Sequence, residues 1–172
     1  MLDKNKNIPP TVLKYKGIFD IGALYKFMSH WLINEGFEFY ETKYKHKPPK
    51  IEINWEANKR ITSYVKYIIE LHFYFYGVND VEVIKDGAKR KMQDARVVIT
   101  FSGKVETDYP DIYGDKNWEK NKFFVKAKKF FENYIIRQDL DVKHIDSFYY
   151  YILRFYEDVK SFLGMETVGG LS

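Results

Sequence analysis

Residues 64–77, YVKYIIELHFYFYG, place Val65, Tyr67, Ile69, Leu71, Phe73 and Phe75 on one side and Lys66, Glu70 and His72 on the other, with Gly77 closing the run. Side chains of a strand alternate between two faces, so a period of two over this length predicts a strand with one face buried. The pattern recurs downstream from Val97 to Tyr109. There Val97, Ile99, Phe101, Gly103, Val105, Thr107 and Tyr109 oppose Val98, Thr100, Ser102, Lys104, Glu106 and Asp108, until Tyr109-Pro110-Asp111 ends the strand. Between these runs, Val81 to Lys85 and Ala88 to Met92 flank Asp86-Gly87. That dipeptide tolerates the positive φ angles of a type I′ turn and marks a hairpin tip.

Upstream, Ile51, Ile53, Trp55 and Ala57 alternate with Glu52, Asn54, Glu56 and Asn58, and a turn is expected over Arg60 to Ser63. Phe37, Phe39 and Glu41 alternate with Glu38, Tyr40 and Thr42 until Lys45-His46-Lys47-Pro48-Pro49 breaks the run, because proline cannot donate to a ladder. Thr11 to Phe19 reads as the first strand. Asp20 then suits an N-cap for a helix from Ile21 to Glu35, with Leu24, Met28, Trp31 and Leu32 near a 3.6 period and Gly36 as the stop.

Two helices are expected after the strands. Asp115, Lys116 and Asn117 lead into an amphipathic stretch with Phe123, Phe124, Ala127, Phe130, Phe131, Tyr134 and Ile135 opposite Lys122, Lys126 and Lys129. Ile145, Phe148, Tyr149, Ile152, Phe155, Val159 and Phe162 then recur at helical spacing up to Gly164. The fold class is therefore α+β: a long-stranded antiparallel meander of five or six strands, with one N-terminal and two C-terminal helices packed on one face. Residues 1–164 form a single domain, and the tail 165–172, with Gly169-Gly170, has no core to join.

The stretches GIFDIGALYKFMSHWL, FEFYETKYK and FYYYILRFYEDVKSFLGM resemble an uncharacterised archaeal protein family over nearly the whole chain, a resemblance that implies no activity.

Composition narrows the chemistry. The 172 residues include no cysteine, which removes thiolate metal sites and thiol nucleophiles. The start, MLDKNKNIPP, lacks an apolar leader, and no stretch reaches the ~20 apolar residues of a membrane span, so a cytoplasmic protein is expected. A net charge of +4 is mild. Aromatic residues at 19%, with 15 Tyr and 14 Phe, exceed what an ordinary core needs. Rings in such excess either fill the interior or face a partner.

His30, His46, His72 and His144 are scattered, and no GxGxxG or GxxxxGK[ST] run occurs. Glu70 with His72, and Glu52 with Asn54 and Glu56, share strand faces, but alternation gives any wet sheet face the same look. No catalytic residue, cofactor site or metal site is assigned, and the chain is read as a non-enzyme. The leading expectation is a structural or docking subunit of a homo- or hetero-oligomeric assembly, a virus-like particle included. Its candidate interface is Tyr149, Tyr150, Tyr151 and Tyr156, because rings nearly encircle that helix. The alternative partner is nucleic acid, through Lys43, Lys45, Lys47 and Lys50 around the proline turn and Lys89, Arg90 and Lys91 on the hairpin. Solvated turn lysines and a charged protective strand edge explain the same residues more simply. A third expectation is a small-molecule cavity between sheet and C-terminal helix.

Overall fold

Backbone ladders run on past local turn signals along the described strands. In the computed structural model, which describes residues 5–62, 65–107, 126 and 143–164, β1 (Asn5–Phe19) leads into α1 (Ile21–Asn34). Then follow β2 (Glu38–Lys47), β3 (Lys50–Arg60), β4 (Val65–Lys85), β5 (Ala88–Thr107) and α2 (Asp146–Phe162). All neighbours are antiparallel in one five-stranded sheet of order β1-β5-β4-β3-β2. The meander is β2 to β5, and β1 adds beside β5. Apart from Lys126, which is helical, the expected helix over 115–135 and the tail 165–172 lie outside the described residues.

Three boundaries differ from expectation. The segments expected as separate strands between 64 and 109 are two long ones, zipped from Val65–Thr107 to Lys85–Ala88. Gly77 does not end β4. It adopts a φ of 58° in a bulge between Tyr76 and Asn79, where β4 carries one residue more than β5, so the ladder continues past the break in alternation. The Asp86-Gly87 tip has φ angles of 53° and 77°, as a type I′ turn demands.

The tract Lys45 to Lys47, expected to break the run, is strand; only Pro48-Pro49, joined by a cis peptide, turns. The lysines and His46 keep their backbone N–H groups and continue the ladder, whereas proline cannot. β1 starts at Asn5, before Thr11. Pro9-Pro10 falls at a register shift between Ile8 and Thr11 on this edge strand, where a missing N–H is tolerated.

The core lies between one sheet face and the two helices. Leu13, Trp55, Ile69, Leu71, Ile99 and Phe101 are each at most 2% exposed. Over them α1 buries Leu24, Met28, Trp31 and Leu32, and α2 buries Phe148, Ile152, Phe155 and Val159. The Asp20 carboxylate caps α1 by accepting from Ala23 N–H at 3.0 Å, and Gln93 Oε1 accepts from Ile21 N–H at 3.0 Å. At the β2 edge, the Tyr25 hydroxyl donates to Glu41 at 2.9 Å. Burial, then the Glu41 carboxylate, pushes Tyr25 up to about 12, so it remains a donor throughout the neutral range.

The helices meet through Trp31, whose ring stacks on Phe155 at 4.1 Å and whose Nε1–H donates to Asp158 at 2.8 Å. Beside it, Glu35 accepts from the Tyr151 hydroxyl and pairs with Arg154 at 2.8 Å, and the Arg154 guanidinium lies over the Trp31 and Tyr151 rings. The Tyr151 hydrogen bond, followed by the Arg154 charge, holds the Glu35 carboxyl below the usual carboxylate range. A carboxyl whose folded pKa is depressed contributes stability that is present above its unfolded pKa of ~4.3 and is lost as pH falls through the lower folded value. Glu35→Gln is expected to lower stability by about 1 kcal/mol at neutral pH, a modest figure because the exposed part of the carboxylate is screened by solvent. Urea titrations of both proteins should show the gap closing as pH drops below ~4; a gap that stays constant would contradict this role for Glu35.

Candidate functional site

The face of the sheet turned away from the helices carries the polar halves of the alternation. Glu52, Asn54 and Glu56 of β3 lie on it beside Glu70 and His72 of β4. Glu56 stands directly opposite Glu70, which pairs with Lys104 at 3.5 Å. Among the described residues no three His, Cys, Asp or Glu side chains converge as a metal site would require. Asn54 Oδ1 and Asn58 Oδ1 are buried and meet no donor among the described residues, and nothing in the structure explains them. Of the other histidines, His30 is exposed on α1, whereas His144 is buried with its Nδ1 3.1 Å from the Tyr67 hydroxyl.

The α2 tyrosines divide. Tyr151 is turned inward against Trp31 and Phe37 and bonded to Glu35, and Tyr156 meets Phe101 edge-on. Tyr149 also packs against the core, which leaves Tyr150 as the outward ring, 69% exposed. Beneath Phe148 and Ile152 of α2 the sheet lies close. A Cβ on Gly103 would lie 2.5 Å from Ile152 Cδ1 and 2.8 Å from Phe148 Cε1.

Strand register brings together cations that are distant in sequence. Lys16 faces Arg96, Arg96 faces Tyr76, and across β3 and β2 Lys50 faces Lys47. One step along the strands, Lys14 faces Val98, Val98 faces Tyr74, Tyr74 faces Glu52, and Glu52 faces Lys45. Residues directly opposite in a ladder share a face, so these two rows cross the whole outer side at the Pro48-Pro49 end. With strands ~4.8 Å apart, each row runs about 19 Å. The rows contain six cations, Lys14, Lys16, Arg96, Lys45, Lys47 and Lys50, and one carboxylate, Glu52. Six cations against one carboxylate compare with a net charge of only +4 for the whole chain. Among the described residues none of the six forms an ion pair; Glu52 is engaged by Lys43 at 2.7 Å, and that contact holds Glu52 below the usual carboxylate range.

In the middle of the rows, the Tyr74 and Tyr76 rings lie side by side, 6.3 Å between centroids and 16° from parallel. Beside them opens a cleft of about 280 Å³ lined by Lys45, Lys47, Lys50, Glu52, Tyr74 and Tyr76.

The candidate basic residues therefore sort into two groups. Lys45, Lys47 and Lys50 join the rows, and Lys43 sits at their margin in its pair with Glu52. Lys89, Arg90 and Lys91 stand on the projecting hairpin, where Lys91 pairs with Asp80 at 3.3 Å and faces Glu82. Acidic neighbours thus offset the hairpin's charge. Lys14, Lys16, Arg96, Tyr74 and Tyr76 escaped the sequence reading because they come from three strands that only pairing brings together; the available signal was their off-core parity.

Fold and site together define an α+β protein with an open, tyrosine-bearing basic face on an antiparallel sheet. No protein-family model matches the chain, and no curated protein matches it in sequence. No described helix is long and apolar enough to cross a membrane.

Proposed function

We propose that this protein is a non-catalytic binding module whose partner is nucleic acid, held on the outer face of the sheet. The observation that carries this reading is the cross-strand convergence of Lys14, Lys16, Arg96, Lys45, Lys47 and Lys50, unpaired among the described residues, around one neutralised carboxylate. Like charges set side by side repel, and a polyanion relieves that repulsion while releasing its own counterions. The assembly-subunit reading has Tyr150 as its outward ring, with Tyr149, Tyr151 and Tyr156 partly buried against the core.

The test is binding of a labelled oligonucleotide followed by fluorescence anisotropy over a range of salt. With four to six phosphate contacts to a single strand, log K should fall against log[salt] with a slope of about −3 to −4. The triple variant Lys16→Glu, Arg96→Glu, Lys47→Glu should weaken binding at least ~10-fold at moderate salt, with its unfolding midpoint little changed because these side chains lie on the surface. Salt-independent binding, or binding unaffected by the triple variant, would refute the assignment. Self-association of the wild-type protein by sedimentation, with no oligonucleotide bound, would favour the assembly reading instead.

A further inference from the structure

Resting on that reading, we infer that the ligand is a single strand, its bases stacked on Tyr74 and Tyr76 while its phosphates follow the two cation rows. A duplex hides its base faces, so a surface built for duplex needs cations and groove-shaped projections but gains nothing from flat rings. Here the rings occupy the centre of the charged face. Tyr76 is 39% exposed, Tyr74 half-buried, and their near-parallel planes stand between Arg96 on β5 and Lys50 on β3. Base–aromatic stacking tolerates any base because every base presents a π-face, and it commonly joins with a positive groove that tracks the backbone. The row length of about 19 Å suits roughly five or six nucleotides at a stacked rise of ~3.4 Å. The cleft beside the rings is shallow and at the lower limit of small-molecule pockets of ~300 Å³, which fits a passing nucleotide better than an enclosed metabolite.

Rings and charges are separable by experiment. The probes are a thymidine oligonucleotide of about 15 nucleotides, the same length made abasic, and a duplex of that length. Wild-type protein should prefer the thymidine strand to both others. Tyr76→Ala and Tyr74→Ala should each weaken the thymidine strand about 10-fold and leave the abasic strand unchanged, whereas Tyr76→Phe, which keeps the ring, should match wild type. Equal loss on the thymidine and abasic strands would mean that the tyrosines act by shaping the face and would overturn the inference, as would a duplex bound as tightly as the single strand. Charge-dependent binding indifferent to both tyrosines would sink this inference and leave the nucleic-acid reading standing; no binding of any probe by the wild-type protein would end both.

Discussion

Phe155→Ala is expected to cost the fold about 3–5 kcal/mol, the usual penalty for emptying a large ring from a closed core. Phe155 is fully buried where α1, α2 and β5 come together. Its ring stacks on Trp31 at 4.1 Å and meets Phe101 edge-on at 5.4 Å. Removing it takes away the transfer energy of the ring and leaves a cavity whose walls, Trp31 and Phe101, belong to different elements and cannot easily close on it. A domain of this size has a net stability of ~5–15 kcal/mol, so the loss amounts to a large fraction. Urea unfolding should show a much lower midpoint at unchanged slope. Phe162→Ala is the internal comparison: that ring stacks on Phe27 but is 40% exposed, and its loss should cost less than half as much. A penalty for Phe155→Ala below ~1 kcal/mol would show that the helices are not joined to the sheet through this ring.

Gly103→Ala should destabilise by about 1–3 kcal/mol, against the ordinary expectation for a strand. Replacing glycine at an unstrained position normally stabilises by ~0.4–1 kcal/mol, because the unfolded chain loses freedom. Gly103 carries no positive φ; what forbids a side chain is proximity. A Cβ there would meet Ile152 Cδ1 at 2.5 Å and Phe148 Cε1 at 2.8 Å, and the Phe148 ring is fully buried. Ile152→Val removes the offending Cδ1 at its own cost of ~0.5–1.5 kcal/mol. In the double variant the total penalty should be less than the sum of the two separate ones, a coupling that reports direct contact between α2 and the C-terminal part of β5. Strict additivity would place α2 elsewhere on the sheet.

The clamp at Glu35, the salt slope and the tyrosine variants probe different links of the same structure. Glu35, Tyr151 and Arg154 concern how α1 is held to α2, on the covered side of the sheet. Lys16, Arg96, Tyr76 and Lys47 concern the open side, where substitution leaves the core untouched. A variant of one group should therefore leave the readout of the other unchanged, because the sheet separates them.

Over the described strands and helices, the type of each element and its inward face were legible in the residues alone. Alternation named the core residues of β3, β4 and β5 correctly, since a strand cannot choose which face a side chain takes once its neighbour's is set. Asp20 located the start of α1, Asp86-Gly87 the hairpin tip and Gly164 the end of α2, each through a backbone requirement few residues meet. Gly77 and the lysines before Pro48 misled, because a bulge or a polar run breaks a pattern without breaking a ladder.

Which strands are neighbours, and in what register, came from long-range pairing alone. Lys16 and Arg96 are 80 positions apart, yet they face each other because β1 returns to pair with β5 across the meander's far edge. Likewise the α2 helix alone could not tell that Tyr151 would find Glu35 and Trp31, 116 and 120 positions earlier, and so turn inward. Spacing along one chain fixes parity and period; a shared surface is made by non-local pairing, whose partners are chosen by the whole core at once.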